Sequence, residues 1–189
     1  MARKGLPSGT VTFLFTDLID STRQWEDDEE AMRAAVARHD ALVRAAVEGS
    51  DGYLVKRTGD GAMASFRSAA SAVEAAVRIQ STLRVAEAAG EMPLGVRIGI
   101  AAGEPVTDGH DLFGSAVNLA ARLSSRSAPR SILVSEVVRE LASEAGYRFA
   151  RARSVRLKGF DAPVRASEVI WAEQDEPARA PLAMGLALA

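Results

Sequence analysis

Two apolar segments, each ending at an aspartate, constrain the fold of this chain most strongly. Residues 9–16 are rich in β-branched and aromatic side chains, which predicts a strand, and Asp17 follows at once. Residues 53–66 are typical of a β-hairpin with Asp60 in a Gly-Asp-Gly turn. If the strands are neighbours, the two carboxylates converge and repel each other unless a cation lies between them. Because hard cations such as Mg²⁺ prefer oxygen ligands, the pattern predicts a metal-binding pair.

Each aspartate also has a simpler explanation. A single aspartate after a strand is more often a cap or a turn residue, and Gly-Asp-Gly forms a good turn in any protein. Short motifs of this kind often match by chance. The metal-site prediction therefore depends on the wider set of residues described below.

The bulk composition excludes several classes of function. The 189 residues suit one domain, and a net charge of −2 gives no general attraction to nucleic acid or anionic membranes. The absence of cysteine excludes disulfides and thiolate metal sites, while two histidines argue against a His-based zinc site. No segment reaches the ~20 apolar residues that cross a bilayer. We therefore expect a cytoplasmic protein that binds neither membrane nor nucleic acid.

Apolar periodicity predicts an α+β fold with a mainly antiparallel sheet flanked by helices. We expect a flexible leader over 1–8, one domain over 9–172 and a disordered tail over 173–189. The expected helices cover 20–25, 28–48, 68–89, 114–125 and 135–145, with Ser68 and Ser135 as caps. The expected strands cover 9–16, the hairpin 53–66, 94–102, 132–134, 147–157 and 163–171, with a loop at 103–113.

The predicted helix at 114–125 carries two polar residues with chemical potential. Asn118 and Arg122 lie four residues apart and share one helical face. An amide suits a sugar or base edge, and a guanidinium suits a phosphate. In a generic helix, the same pair is more often a solvated polar face. The two residues alone leave both interpretations open.

Three motifs together resemble the class III nucleotidyl cyclase catalytic domain. They are FTDL at 15–18, VKRTGDG at 55–61 and DLFGSAVNLAARL at 111–123, and the resemblance covers about residues 9–171. It implies a ferredoxin-like, palm-type core. It also implies a bacterial adenylyl cyclase that converts ATP to 3′,5′-cyclic AMP and pyrophosphate.

The resemblance implies a metal site and a phosphate site. Asp17 and Asp60 match the metal carboxylates of the family, with the backbone carbonyl of Leu18 as a further ligand. These groups would hold two divalent cations, Mg²⁺ or Mn²⁺. Arg130 and Lys158 match positions that bind phosphate.

The remaining matched residues concern the nucleoside and the reaction. Lys56 and Asp111 match the purine-selecting pair, which in this form favours ATP over GTP. Asp108 lies in the same predicted loop, although the spacing to Asn118 favours Asp111. Asn118 matches the ribose-orienting amide. Arg122 matches the guanidinium that stabilises charge on the α-phosphate in the transition state.

The resemblance further implies a homodimer with active sites shared between protomers. One copy would supply Asp17, Asp60 and Arg130, and the other Lys56, Asp111, Asn118, Arg122 and Lys158. Two alternatives remain, namely a guanylyl or dual-specificity cyclase and a non-catalytic nucleotide-binding dimerisation domain. The absence of a Gly-Gly-(Asp/Glu)-Glu-Phe stretch argues against a diguanylate cyclase.

Overall fold

Fifteen helices and strands build the part of the chain that the computed structural model describes, residues 9–19, 21–90, 95–108 and 111–172. The predictions for the leader 1–8 and the tail 173–189 lie outside these ranges. The elements are β1 (Val11–Leu18), α1 (Ser21–Asp27), α2 (Glu29–Gly49), β2 (Tyr53–Arg57), β3 (Ala62–Phe66), α3 (Ala69–Ala88), β4 (Val96–Gly103), β5 (Val106–Asp108), β6 (Asp111–Phe113), α4 (Ser115–Arg126), β7 (Ile132–Ser135), α5 (Glu136–Ser143), β8 (Arg148–Phe149), β9 (Arg153–Val155) and β10 (Val164–Ile170).

The main sheet confirms the predicted α+β class. Its strand order is β2-β3-β1-β4-β7-β10-β8, and β9 pairs with β10 beside this path. Among the described strands, β4 and β7 form the one parallel pair, and all other neighbours are antiparallel. None of the helices in the described ranges combines the length and apolar character that a bilayer span requires.

Side-chain caps fix the starts of three helices. Asp28 accepts a hydrogen bond from the backbone N–H of Ala31 at 2.9 Å, at the start of α2. Ser68 and Ser135 play the same part at α3 and α5. A side-chain oxygen at this position satisfies a backbone donor that the helix itself leaves unpaired. The two predicted serine caps are therefore confirmed.

The sheet separates two apolar cores. One core packs against α2, α3 and α5 and includes Leu14 and Ile79. The other packs against α4 and includes Phe13 and Leu123. Successive side chains of a strand point to opposite faces. Asp17 therefore belongs to the face of β1 that α4 covers, together with Phe13.

Three sequence predictions need correction. The first strand runs two residues further than predicted, so Asp17 lies inside β1. The predicted loop 103–113 contains a two-stranded ribbon of β5 and β6, whose three-residue strands are too short to show periodicity. The predicted strand 147–157 is two short strands, because β8 and β9 pair with different parts of β10.

Candidate active site

The register of β1 and β3 brings Asp17 and Asp60 to the same end of the sheet. Thr16 lies opposite Ala62, so Asp17 follows this pair by one residue and Asp60 precedes it by two. Gly61 permits the close approach, because a Cβ there would lie 2.0 Å from the carbonyl oxygen of Thr16. The hairpin turn is thus held directly against β1.

Each of these carboxylates has a partner within the chain. Arg97, directly opposite Asp17 on β4, donates through Nη2 to the Asp17 carboxylate. Ser21, at the start of α1, donates its hydroxyl hydrogen to Asp60. We call Asp17, Asp60, Arg97 and Ser21 the carboxylate cluster.

Sequence reasoning missed both Arg97 and Ser21 as members of this cluster. One signal for Arg97 was present, because it lies between Val96 and Ile98 in an otherwise apolar strand. A charged residue in such a position is more informative than an exposed one. Its partner, however, follows from the register of β1 and β4, which the pattern alone does not supply.

The donor set of the carboxylate cluster fits a hard divalent cation. Asp17 and Asp60 supply carboxylate oxygens, and Leu18 at the end of β1 supplies a backbone carbonyl. No group of three or more His, Cys, Asp or Glu side chains able to hold a metal occurs within the described ranges. Two carboxylates with a backbone carbonyl are the kind of donor set that Mg²⁺ uses, because Mg²⁺ usually binds one or two carboxylates together with water and substrate phosphates.

A second cluster joins Lys56 of β2 to the ribbon. The Nζ of Lys56 lies 2.5 Å from Oδ2 of Asp111, and the Leu112 backbone N–H donates to Oδ1 at 2.8 Å. The same Nζ lies 5.4 Å from the ring centroid of Phe113. We call Lys56, Asp111 and Phe113 the lysine cluster. The structure thus brings together the two residues matched to purine selection.

Electrostatics hold Asp111 in its charged form. The hydrogen bond from Lys56 is the main cause of the lowered pKa of Asp111, followed by the hydrogen bond from the Leu112 N–H. A donor to the charged form of a carboxyl favours that form. Asp111 is therefore an acceptor only, and Lys56 keeps further donors for a ligand.

The helix α4 presents Asn118 and Arg122 to solvent. Two other residues of the same helix, Ala120 and Leu123, are fully buried. Within the described part of the chain, the side chains of Asn118 and Arg122 make no hydrogen bond or ion pair, and the same holds for the exposed Lys158 after β9. These three groups are available to a ligand or another chain.

A glycine sets the distance between α4 and the sheet. A Cβ on Gly99 of β4 would lie 2.1 Å from the backbone N of Ser124 and 2.3 Å from the carbonyl oxygen of Ala120. Only a residue without a side chain permits this approach. The helix with Asn118 and Arg122 is therefore fixed directly over β4, which carries Arg97.

The guanidinium of Arg130 contacts neither cluster, although its backbone lies next to one of them. Its backbone N–H donates to the carbonyl of Val96 at 3.1 Å, beside the carboxylate cluster. Its guanidinium instead pairs with Glu87 of α3, through Nε at 2.9 Å and through Nη2. A phosphate-binding role for Arg130 therefore stays a prediction, and it requires this side chain to leave Glu87.

A family model and several known proteins are similar to this chain over most of its length. A family model described as "Adenylate and Guanylate cyclase catalytic domain" matches residues 5–171. The putative adenylate cyclase 3 of Rhizobium meliloti is 29% identical over 143 residues, which cover 74% of this chain and 24% of that protein. The adenylate cyclase of Podospora anserina is 33% identical over 154 residues, covering 68% of this chain and 7% of that protein.

A solved structure extends the likeness to the backbone. The crystal structure of an adenylate/guanylate cyclase/hydrolase from Silicibacter pomeroyi has a TM-score of 0.77 and 29% identity, and the match covers 86% of this chain and 97% of that one. The chain spans about a quarter or less of the two curated relatives named above, but nearly all of this solved domain.

Proposed function

The chain belongs to the family of adenylate and guanylate cyclase catalytic domains, and from this premise we propose that it is an adenylyl cyclase. It converts ATP to 3′,5′-cyclic AMP and pyrophosphate at a site shared between two copies of the chain. The observation that carries the proposal is the assembled Lys56–Asp111 pair, with Nζ and Oδ2 2.5 Å apart.

The Lys56–Asp111 pair is complementary to adenine. The ammonium of Lys56 donates to a ring nitrogen of the base, and the carboxylate of Asp111 accepts from the 6-amino group. Guanine has a carbonyl oxygen in place of that amino group, so the Asp111 carboxylate would face another acceptor. A site built around one hydrogen-bond pattern rejects a base that leaves its polar groups unpaired.

The carboxylate cluster supplies the other half of the site. Asp17, Asp60 and the Leu18 carbonyl would hold Mg²⁺ or Mn²⁺, and bound cations of this kind activate a hydroxyl and neutralise a triphosphate. Cyclase domains of this family generally depend on divalent cations. Arg97 lies beside Asp17, so it is also near any phosphate bound there.

The exposed residues of α4 position the reacting groups. Asn118 orients the ribose so that its 3′-oxygen attacks the α-phosphorus, pyrophosphate leaves, and one proton is released. Arg122 donates to the oxygens of the α-phosphate as negative charge develops there. Such a donor is worth about 3 kcal/mol of transition-state stabilisation. Lys158 and Arg130 bind the outer phosphates.

Two observations support a site shared between protomers. No hydrogen bond or ion pair joins the carboxylate cluster to the lysine cluster within the described part of one chain. The ribbon that carries Asp111 also exposes two apolar side chains directly opposite each other, Val106 and Phe113, at 66% and 47%. Covering these two side chains with a second protein surface would remove apolar area from water, which is favourable. A two-fold dimer would contain two equivalent sites.

A nucleotide assay tests the proposed activity. The purified chain is incubated with ATP or GTP, with Mg²⁺ or Mn²⁺, at several protein concentrations. We expect cyclic AMP from ATP, little product from GTP, and a specific activity that rises with protein concentration as dimers form. Cyclic GMP from GTP would instead indicate a guanylyl or dual-specificity cyclase. Nucleotide binding without either product would indicate a non-catalytic domain.

A further inference from the structure

We propose that the guanidinium of Arg97 occupies the Asp17 carboxylate and that a divalent cation has to displace it. We call this contact the latch. Asp60 accepts its cation without such competition. The first cation therefore depends on Asp60, and engagement of Asp17 follows. This inference rests on the proposed function, because it assumes that both carboxylates bind cations.

The contact between Arg97 and Asp17 is direct and accessible. The two residues lie opposite each other across β1 and β4, and Nη2 of Arg97 donates to Oδ2 of Asp17. Their side chains are 30% and 37% exposed, so a hydrated cation can reach the carboxylate. A guanidinium and a divalent cation compete for the same lone pairs, because the carboxylate is their common acceptor.

The guanidinium is held incompletely in this position. Its Nε is buried without a hydrogen-bond partner. Its Nη1 reaches the carbonyl of Ser125, near the end of α4, at the long distance of 3.5 Å. The charge-assisted hydrogen bond to Asp17 therefore provides most of the stabilisation of the guanidinium in this position. A buried donor without a partner lowers the cost of moving the side chain elsewhere.

Asp60 has a different kind of partner. The hydroxyl of Ser21, which donates to Asp60, is neutral and can act as a donor or as an acceptor. A cation that approaches Asp60 therefore displaces no positive charge from this carboxylate. At Asp17, by contrast, it must displace or repel the guanidinium of Arg97.

Direct Mn²⁺ binding to the full chain, measured without nucleotide by electron paramagnetic resonance of free Mn²⁺, tests the latch. When Arg97 is present, we expect Asp60→Asn to weaken Mn²⁺ binding strongly and Asp17→Asn to change it little. Arg97→Gln should bind Mn²⁺ about fivefold more tightly, and the additional Asp17→Asn should remove this gain. Fivefold corresponds to about 1 kcal/mol, which is the upper range for an opposite-charge pair across two strands.

Two further variants keep the test decisive. Arg33→Gln is the matched control, since Arg33 pairs with Glu29 on the exposed side of α2, and Mn²⁺ binding should not change. Arg97→Met retains the length of the alkyl stem and replaces Arg97→Gln if the latter does not fold. Circular dichroism and the thermal midpoint of each variant establish that the fold is retained.

The possible outcomes separate the latch from the proposed function. If both Arg97 variants bind Mn²⁺ as the wild type does, while Asp60→Asn still weakens binding, the latch is wrong and the cation site stands. If Asp17→Asn weakens Mn²⁺ binding as much in the wild type as in Arg97→Gln, the order of binding is wrong. If no variant binds Mn²⁺ in any way that depends on Asp17 or Asp60, both the latch and the proposed function are overturned.

Discussion

The carboxylate cluster and the lysine cluster each pair an acid with a base, but the two pairs have opposite consequences. In the lysine cluster, Lys56 and Asp111 would both contact the same ligand under the proposed function, so their ion pair prepares the proposed site. In the carboxylate cluster, Arg97 contacts Oδ2 of Asp17, an oxygen that the proposed cation would use. The comparison teaches that an ion pair at a site can either prepare the site or block it.

The two pairs also differ in how well the surrounding groups support them. The backbone N–H of Leu112 and the ring of Phe113 both contact the Lys56–Asp111 pair, so the lysine cluster is supported on several sides. Arg97 has a buried Nε without a partner. Fully satisfied polar networks are rigid, whereas partly satisfied ones rearrange more easily. We therefore expect the lysine cluster to keep its geometry on binding and the carboxylate cluster to change.

Mixing of inactive variants gives the largest expected effect, because it tests whether the two clusters meet across a dimer. Asp17→Ala and Arg122→Ala should each lose about 10²–10³-fold of the cyclase activity. Their equimolar mixture should regain about a quarter of the wild-type activity, since half of the dimers are mixed and each of these has one intact site. Cyclic AMP formation after subunit exchange is the measurement.

The control for this experiment uses two residues of one cluster. A mixture of Asp17→Ala and Asp60→Ala should stay inactive, because every dimer then lacks a complete carboxylate cluster. Recovery in this control would show that the clusters do not divide between protomers as proposed. The absence of recovery in the first mixture, with dimers present by sedimentation, would contradict the shared site.

Exchange of the lysine cluster should change the base preference without affecting the carboxylate cluster. In Lys56→Glu with Asp111→Gly, the base edge meets an acceptor where it met a donor, so we expect the ATP-to-GTP ratio of kcat/KM to fall about 100-fold. Mn²⁺ binding without nucleotide should stay as in the wild type. Arg151→Glu, on the exposed chain between β8 and β9, reverses a charge elsewhere and should leave the ratio unchanged.

Sequence patterns singled out both residues of the Lys56–Asp111 pair, but only Asp17 of the Asp17–Arg97 pair. Asp17, Asp60, Lys56 and Asp111 came from short motifs, and the structure brings Lys56 and Asp111 into contact across 55 residues. The class of fold also followed from periodicity and from the family resemblance, and it is confirmed. The contact of Arg97 with Asp17 depends on the register of β1 against β4, which apolar alternation leaves open to shifts of two residues.

Side-chain direction was the other limit of sequence reasoning. The family resemblance implied that Arg130 binds phosphate, and the backbone N–H of Arg130 donates to the carbonyl of Val96, next to Arg97. Its guanidinium nevertheless turns to Glu87, because α3 ends close to that strand and offers a carboxylate. A contact between elements 43 residues apart depends on tertiary packing, so no local pattern predicts it.

The buried His39 gives a smaller effect, which depends on pH. It lies on α2, which packs beside β2, the strand that carries Lys56. His39 is completely buried, and its Nε2 has no hydrogen-bond partner. Burial lowers the pKa of His39, against the raising effect of neighbouring Asp40, and Arg57 of β2 lowers it further. Arg57 also pairs with Asp40 at 2.8 Å, which ties α2 to β2.

The sign of the pH effect follows from this lowered pKa. Below the ordinary pKa of about 6.5, the unfolded chain binds a proton at His39 that the folded chain does not, so stability falls as the pH falls from there toward the lowered value. Between pH 7 and pH 5, we expect the thermal midpoint of the wild type to fall roughly 2–4 °C more than that of His39→Leu. An equal fall in both proteins would contradict this role. Asp111, with its lowered pKa, stays charged over the same range and should keep its contact with Lys56.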